Sequence, residues 1–215
     1  MSKPYTCIEP KDFDKSLIRI DEPMNDETKF LNISYLKSNK QSNLYIQLPE
    51  SQFCVIKPNF KYNSKREISG YYITYKSDCE ATLLTLDTLI DCCNRKLKNW
   101  KKSHIILKSL KVKPVFVNQK CSIMNDELKI AFLKLNMYNG KICTKMFDKH
   151  KQKLDPLYYI SKPGDVKLII KITGLYLGDK YAYLHLRVEQ IFYKLLKNIE
   201  LPILFNDSDN DEENE

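Results

Sequence analysis

Runs in which apolar and polar residues alternate recur along this chain, and they constrain its fold more than any other feature. The run at residues 181–192 has one aliphatic face and one aromatic, basic face. The aliphatic face carries Leu184, Leu186 and Val188, and the opposite face carries Tyr183, His185 and Arg187. Because successive side chains of a β-strand point to opposite faces, this pattern predicts a strand that covers a core with one face.

Similar patterns predict further strands at residues 43–48, 68–75, 105–117, 128–137 and 166–177. The turns at Asn139-Gly140 and at residues 178–180 separate the later runs as hairpin connections would. From about residue 78 to 100, apolar residues instead recur at spacings of three and four, and Ser77 and Glu80 have the spacing of a capping box. The chain is therefore predicted to be mainly β with one long α-helix, in the α+β class.

Composition divides the chain into three segments. Residues 1–30 mix three prolines with charges of both signs, which predicts an extended N-terminal arm. Residues 31–205 are predicted to form one folded domain, because a chain of 215 residues with 43% hydrophobic positions can bury a sizeable core. Residues 206–215 are predicted to be a disordered acidic tail, whose carboxylates are Asp207, Asp209, Asp211, Glu212, Glu213 and Glu215.

The charge of the chain is polarised between its body and its C-terminal end. The net charge is +8, and the body is more basic still because the tail carries only acidic charges. A basic body attracts a polyanion. The tail can compete for the same surface or offer itself to a basic partner, and a frayed, solubilising end is the plainer interpretation.

Capture of single-stranded nucleic acid needs a positive groove for phosphates and exposed aromatic rings on which bases stack. Three segments combine cations with aromatic residues, and we predict nucleic-acid-binding residues in each. They are Lys57, Phe60, Lys61, Tyr62, Lys65 and Arg66 in the first, Lys145, Phe147, Lys149, Lys151 and Lys153 in the second, and Tyr183, His185 and Arg187 in the third. Phe60 and Tyr62 are the predicted stacking platform, and the alternative for any of these rings is packing in the core.

Motifs for enzymatic chemistry are missing from the sequence. The five glycines form no phosphate-binding loop, and the three histidines include no H-E-x-x-H. The seven cysteines contain no C-x-x-C pair, which argues against a zinc site and a disulfide framework. We therefore predict no catalytic residue, no metal and no cofactor. No apolar run of 18 residues and no secretory leader occur, so we expect an intracellular protein without a membrane partner.

Parts of the second half resemble a known family. Residues 128–150 read L-K-I-A-F-L-K-L-N-M-Y-N-G-K-I-C-T-K-M-F-D-K-H, residues 166–177 read V-K-L-I-I-K-I-T-G-L-Y-L, and residues 181–191 read Y-A-Y-L-H-L-R-V-E-Q-I. This order of an N-G-K turn, a basic segment, a strand with a glycine and an aromatic residue, and a closing strand resembles the single-stranded DNA-binding proteins of large nucleocytoplasmic DNA viruses, including poxvirus-type relatives. The early L-Y-I-Q-L-P at residues 44–49 also fits.

The resemblance implies an OB-like β-barrel core and binding of single-stranded DNA without strong sequence preference. It also implies a role in viral DNA replication or recombination, in the host cytoplasm or a viral replication compartment. Tyr176 stands where an aromatic site that often contains tryptophan is expected. The acidic end is similar to the tails of bacterial and phage single-strand binders, which occupy the DNA groove or recruit replication partners.

Other interpretations stay open from the sequence. A non-enzymatic viral transcription or assembly factor could use the basic face for acidic protein partners, and it should bind DNA weakly. A nuclease would need a carboxylate cluster that forms in the fold, and it would show metal-dependent turnover. A duplex-specific binder is disfavoured because no helix carries basic residues along one exposed face. RNA is a second candidate polymer, and the extended arm could support self-association.

Overall fold

The computed structural model describes residues 7–25, 27–37, 40–61, 64–101, 103–104, 107, 110–120 and 127–196. The first strands are β1 (Cys7–Ile8), β2 (Ile18–Ile20), β3 (Phe30–Lys37), β4 (Lys40–Ser42), β5 (Leu44–Lys61) and β6 (Ser64–Lys76). After the helix α1 (Glu80–Trp100) come β7 (Lys111–Val112), β8 (Phe116–Lys120), β9 (Glu127–Lys134), β10 (Met137–Tyr138), β11 (Lys141–Ile142), β12 (Lys145–Phe147), β13 (Lys153–Leu154), β14 (Pro163–Leu177) and β15 (Tyr181–Leu195). The predicted class, mainly β with one long helix, is confirmed for the described residues.

Five long strands form the centre of the sheet, in the order β15-β14-β5-β6-β9, and each neighbouring pair is antiparallel. β8 continues the sheet beyond β9, and β12 and β13 continue it beyond β15. β3 pairs with the last part of β14 and carries β2 and β4. An isolated parallel bridge joins Leu135, just after β9, to Val188 of β15. Through this bridge the segment after β9, the last of the five central strands, also contacts β15, the first of them.

The core lies between the inward faces of these strands and α1. Ile46, Ile56, Ile73 and Leu168 are fully buried, and they pack in one cluster with helix residues such as Leu89. Helix α1 begins at Glu80 with Cys79 as its N-cap, which makes no side-chain capping bond. The predicted capping box is therefore wrong, since Ser77 accepts a hydrogen bond from the Cys79 N–H instead, at 3.3 Å.

The strand predicted at residues 43–48 does not end at Pro49. β5 continues to Lys61, because Pro49 lies at an irregularity in the β5–β14 register, between Leu48 opposite Leu168 and Ser51 opposite Val166. Proline is tolerated at such a bulge, where the ladder needs no N–H donor. The segment that we expected between two strands is consequently a long hairpin of β5 and β6. Its described parts are 53–61 and 64–66.

The described part of the N-terminal segment lies against the rest of the molecule. β1 pairs in parallel with β5, and Ile18 and Ile20 of β2 are buried. The Thr85 hydroxyl of α1 donates a hydrogen bond to the carbonyl of Pro10, at 2.9 Å. The acidic tail lies outside the described residues. Among the helices that the structure describes, none is long and apolar enough to cross a membrane.

Candidate nucleic-acid interface

A groove of about 400 Å³ lies between β9 and β15, and we call it the β9–β15 groove. Three partly exposed aromatic rings line it, those of Phe132, Tyr176 and Tyr183, with exposed fractions of 51%, 46% and 43%. Its cations are Lys113, Lys134 and Arg187, and none of the described residues that line it is acidic. Exposed rings and cations therefore share one concave surface.

Strand alternation places these side chains on the outer side of the sheet. Phe132 and Lys134 of β9 alternate with Ala131 and Leu133, which are buried. On the other side of the groove, Tyr183 of β15 lies directly opposite Tyr176 of β14. The predicted site residues Tyr183, His185 and Arg187 do line one surface.

Both ends of the groove are closed by contacts to β15. At one end the segment Lys113–Val115, which connects β7 to β8, lines the groove, and the Lys113 N–H donates to the carbonyl of Ala182 at 2.9 Å. At the other end the Leu135–Val188 bridge brings the strands together. The space between these two closures is therefore a short slot.

The environment of His185 favours the neutral form of this ring. Burial, with smaller contributions from Arg187 and Lys134, lowers the pKa of His185 below its usual value. Its Nδ1 lies 2.6 Å from the hydroxyl of Thr173, and its ring makes an edge-to-face contact with Phe30 at 5.5 Å between centroids. His185 thus enters the groove as a fixed, uncharged ring rather than as a cation.

Position 174 fixes how closely the ring of Phe30 approaches His185 on the outer face of the sheet. Gly174 pairs with His185 on β15 and with Asn32 on β3. A Cβ at this position would overlap the Phe30 ring and the Leu31 carbonyl. The close approach of Phe30 and of the β3 backbone to β14 therefore requires glycine here.

The outer face continues from the groove across β6 to β5. Tyr72 of β6 lies opposite Lys134 on one side and opposite Lys57 on the other, so the three side chains share a face. The Tyr72 ring contacts that of Phe132 edge to face, at 5.7 Å. The predicted site residue Lys57 therefore belongs to the same surface as the groove.

The remaining residues of the first predicted segment lie toward the tip of the β5–β6 hairpin. Phe60 is opposite Ile68, and both are nearly half exposed. Lys61 forms an ion pair with Glu67. Tyr62 lies outside the described residues, as do the side chains of Lys65 and Arg66 in β6.

The second predicted segment, residues 145–153, is a basic turn at the other end of β15. Lys145, Lys149, Lys151 and Lys153 are exposed. The Asp148 carboxylate orders the turn by accepting the N–H groups of His150 and Gln152, both at 2.8 Å. Phe147 stacks on Phe192 of β15, with 5.8 Å between centroids. The turn therefore offers cations, while its ring is already packed.

Sequence reasoning missed Lys113, Phe132 and Lys134 as site residues. Phe132 and Lys134 carry the same alternating pattern as Tyr183 and Arg187, so this signal was present in the predicted strand at residues 128–137. Lys113 falls within the strand predicted at residues 105–117, but the structure places it in the irregular segment between β7 and β8, where alternation does not indicate which way a side chain faces.

Comparison with known proteins gives a fold likeness and no family. No protein-family model matches the sequence, and no curated protein matches it. Among solved structures, the single-stranded DNA-binding protein from bacteriophage Enc34, in a C-terminally truncated form, is 11% identical, with a TM-score of 0.46 over 85% of this chain and 98% of that chain. The same phage protein in complex with ssDNA is 12% identical, with a TM-score of 0.47 over 86% and 98%. So distant a likeness carries no functional argument.

Proposed function

We propose that the protein binds single-stranded DNA without sequence preference, and that it coats and protects such DNA during viral DNA replication or recombination. The observation that carries the proposal is the β9–β15 groove, where Phe132, Tyr176 and Tyr183 are exposed beside Lys134 and Arg187. Each base stacked on an aromatic ring contributes on the order of 1–3 kcal/mol, whatever the base. Cations beside the rings add a salt-dependent attraction for the phosphates.

The same groove favours single strands over duplexes. Bases in a duplex are already stacked and paired, so their faces are not available to rings in a groove. A duplex reader instead presents an element that fits a DNA groove, usually a helix with exposed polar residues. In α1, residues such as Leu86, Leu89 and Leu97 pack into the core, and the helix does not line the β9–β15 groove.

We propose further that the central strands form an OB-like barrel. Their order, β15-β14-β5-β6-β9, with a parallel bridge from Leu135 back to Val188, supports a five-stranded barrel that is partly open. OB-folds bind oligonucleotides on the outer face of their second and third strands. The corresponding face here is that of β6 and β9, which carries Tyr72, Phe132 and Lys134.

The other predicted site residues extend the proposed path of the DNA. Lys57 lies on the groove face, while the hairpin tip with Phe60 and Lys61 and the basic turn at residues 145–153 would add phosphate contacts beyond it. We keep the absence of an enzymatic activity, the relation to poxvirus-type proteins, self-association and the intracellular location as parts of this proposal.

The proposal is tested by fluorescence anisotropy with labelled single-stranded and duplex DNA of one length, across a salt series and with magnesium present. We expect tight, salt-sensitive binding of the single strand, weaker binding of the duplex and no cleavage. The logarithm of the binding constant should fall with the logarithm of salt by about 0.7 for each phosphate contacted. Equal weak binding of both DNAs contradicts the proposal, and shortened DNA would reveal an enzyme.

The acidic tail is proposed to compete with DNA for the basic surface or to recruit replication proteins. Removal of residues 207–215 should then strengthen DNA binding at low salt, because six negative charges are lost. A matched variant with asparagine and glutamine in place of the six acids separates charge from length. Unchanged DNA affinity in both variants would contradict competition between the tail and DNA. The tail would then serve to recruit replication proteins or to keep the protein soluble.

A second candidate function is binding of acidic protein partners by a viral transcription or assembly factor. It is favoured by a small pocket of about 220 Å³ between the N-terminal segment and α1, whose lining includes Lys15, Arg95 and Lys96 and no acidic residue among those described. A protein of this kind would bind DNA weakly and without strand preference in the anisotropy experiment.

A further inference from the structure

One edge of β15 is left without a strand partner inside the groove. The edge that faces β14 is paired along almost the whole strand. The opposite edge pairs with β7 at Tyr181 and Ala182, meets Leu135 at Val188, and pairs with β12 from Gln190 onward. Between these contacts, residues 183–187 have no partner on that edge among the described strands.

Two hydrogen bonds fix the direction of the backbone groups on this edge. The carbonyl of Ala182 accepts from the N–H of Lys113 at 2.9 Å, and the carbonyl of Val188 accepts from the hydroxyl of Thr144 at 2.6 Å. Both carbonyls therefore point away from β14. Because this direction alternates along a strand, the N–H and C=O groups of Leu184 and Leu186 also point to this side. Both residues line the β9–β15 groove.

The groove thus has backbone donors and acceptors at its edge and aromatic rings beside them. An unpaired nucleobase presents the matching chemistry, namely a ring face for stacking and an edge with donors and acceptors. A peptide strand could also pair with a free strand edge. The free edge, however, spans five residues, about 17 Å, and the groove is closed by Lys113–Val115 at one end and by the Leu135–Val188 bridge at the other. An extended chain cannot run through such a slot.

A base can enter the slot from the outer face, because it hangs from a flexible sugar–phosphate chain that stays outside. Lys134 and Arg187 line the same groove and supply positive charge for the flanking phosphates. Backbone groups offer both a donor and an acceptor, so they suit any of the four bases and impose little sequence preference.

We propose that the β9–β15 groove takes one nucleobase, turned out of the stack of its strand, against the ring of Phe132 or Tyr183 and with its polar edge toward the backbone of Leu184 and Leu186. This inference rests on the proposed function and deepens it. It assigns the preference for single strands to the insertion of a base, beyond the general attraction between a basic surface and phosphates.

Photo-cross-linking tests the position of the base. A thymidine oligonucleotide with one 5-iododeoxyuridine, which couples to aromatic side chains in contact with it, is irradiated on the full chain and the cross-linked peptides are sequenced. We expect Phe132 or Tyr183 to be the main site. Binding of the oligonucleotide with cross-links confined to other regions, such as Phe60 or Tyr158, overturns the inference and leaves the proposed function standing.

A pair of tryptophan substitutions tests the slot independently. Val115 lines the groove, so Val115→Trp should fill it and weaken binding of a thymidine oligonucleotide at least 5-fold. Val117→Trp is the matched control on β8, at a partly exposed position that does not line the groove, and it should leave affinity unchanged. Thermal melting verifies that both variants fold. If either variant does not fold, the cross-linking experiment on the unmodified chain tests the inference instead. Equal affinity of the two folded variants overturns the inference, whereas absence of binding by the unmodified chain overturns the proposed function as well.

Discussion

The β9–β15 groove and the basic turn at residues 145–153 both combine aromatic residues with cations and lie along the same strand, yet they differ in what their aromatic residues contact. In the groove, Phe132 and Tyr183 keep about half of their surface exposed. In the turn, Phe147 is stacked on Phe192 and leaves four lysines exposed around it. An aromatic residue beside cations is therefore a stacking site only where the fold leaves its face uncovered.

The two regions should consequently contribute different kinds of binding energy. Stacking of bases in the groove should persist at high salt, because it depends on contact between rings. Attraction of phosphates to the lysines of the turn should fade as salt rises. Mutations in the two regions can therefore be told apart by their salt dependence.

The largest effect is expected from removing two groove rings together. Phe132→Ala with Tyr183→Ala should cost about 2–6 kcal/mol of DNA-binding free energy, roughly 30-fold or more in affinity, at low and high salt alike. Both rings are half exposed, so the melting temperature should change little. Tyr138→Ala, at a 72% exposed ring on β10 that does not line the groove, is the control for loss of a surface tyrosine. A large fall in melting temperature would reassign the two rings to the core.

The next effect concerns stability rather than binding. Phe147→Ala removes the ring packed on Phe192 and should lower the free energy of unfolding by about 1–3 kcal/mol, less than for a fully buried phenylalanine. Denaturant unfolding measures this loss, and affinity for DNA should be nearly unchanged under conditions where the variant is folded. Strongly weakened DNA binding with an unchanged free energy of unfolding would show that the ring of Phe147 contacts DNA, as the groove rings are proposed to do.

A smaller effect is expected from the charges of the turn. Lys149→Gln with Lys153→Gln should weaken DNA binding a few-fold at low salt and have almost no effect at high salt. The salt slope should fall by about 1.4, since each phosphate contact accounts for about 0.7. Lys141→Gln, at an exposed lysine on β11, is the control for a change in net charge. An unchanged slope would place the turn off the path of the DNA.

The smallest effect is a dependence of stability on pH. The pKa of His185 is lowered in the folded protein, chiefly by burial, so the unfolded chain binds a proton more readily. The contribution to stability is complete above the unfolded pKa of about 6.5 and is lost as pH falls toward the lower folded value. Melting temperatures measured from pH 7.5 to 5 should decline less steeply for His185→Gln than for the unmodified chain. Parallel profiles would show that His185 is not responsible.

Several elements of the fold were readable from the sequence, because periodicity is a local property. In the described part of the run at residues 105–117, however, an irregular segment separates β7 from β8, and no pattern predicted β3. The strand with Tyr183 and Arg187 and the strand with Phe132 and Lys134 both follow from alternation. Their assembly into one groove was not readable, since it depends on the contact between Leu135 and Val188, far apart in the chain.

Two other differences also have non-local causes. Phe147 was predicted as a binding residue in a basic loop, and its packing depends on the parallel pairing of β12 with β15. Pro49 was predicted to end a strand, and the irregular register between β5 and β14 accommodates it instead. In each case the role of the residue depends on a neighbouring strand, and the local sequence pattern does not reveal that strand.

Gly174 shows that the arrangement of rings in the groove can depend on a position that has no side chain. Any larger residue there would displace Phe30, and Phe30 holds the ring of His185. A survey of tolerated substitutions should therefore find position 174 more restrictive than many positions whose side chains line the groove. The shape of the groove therefore depends partly on the absence of a side chain at a position on the outer face of the sheet, the same face as Tyr176 and Tyr183.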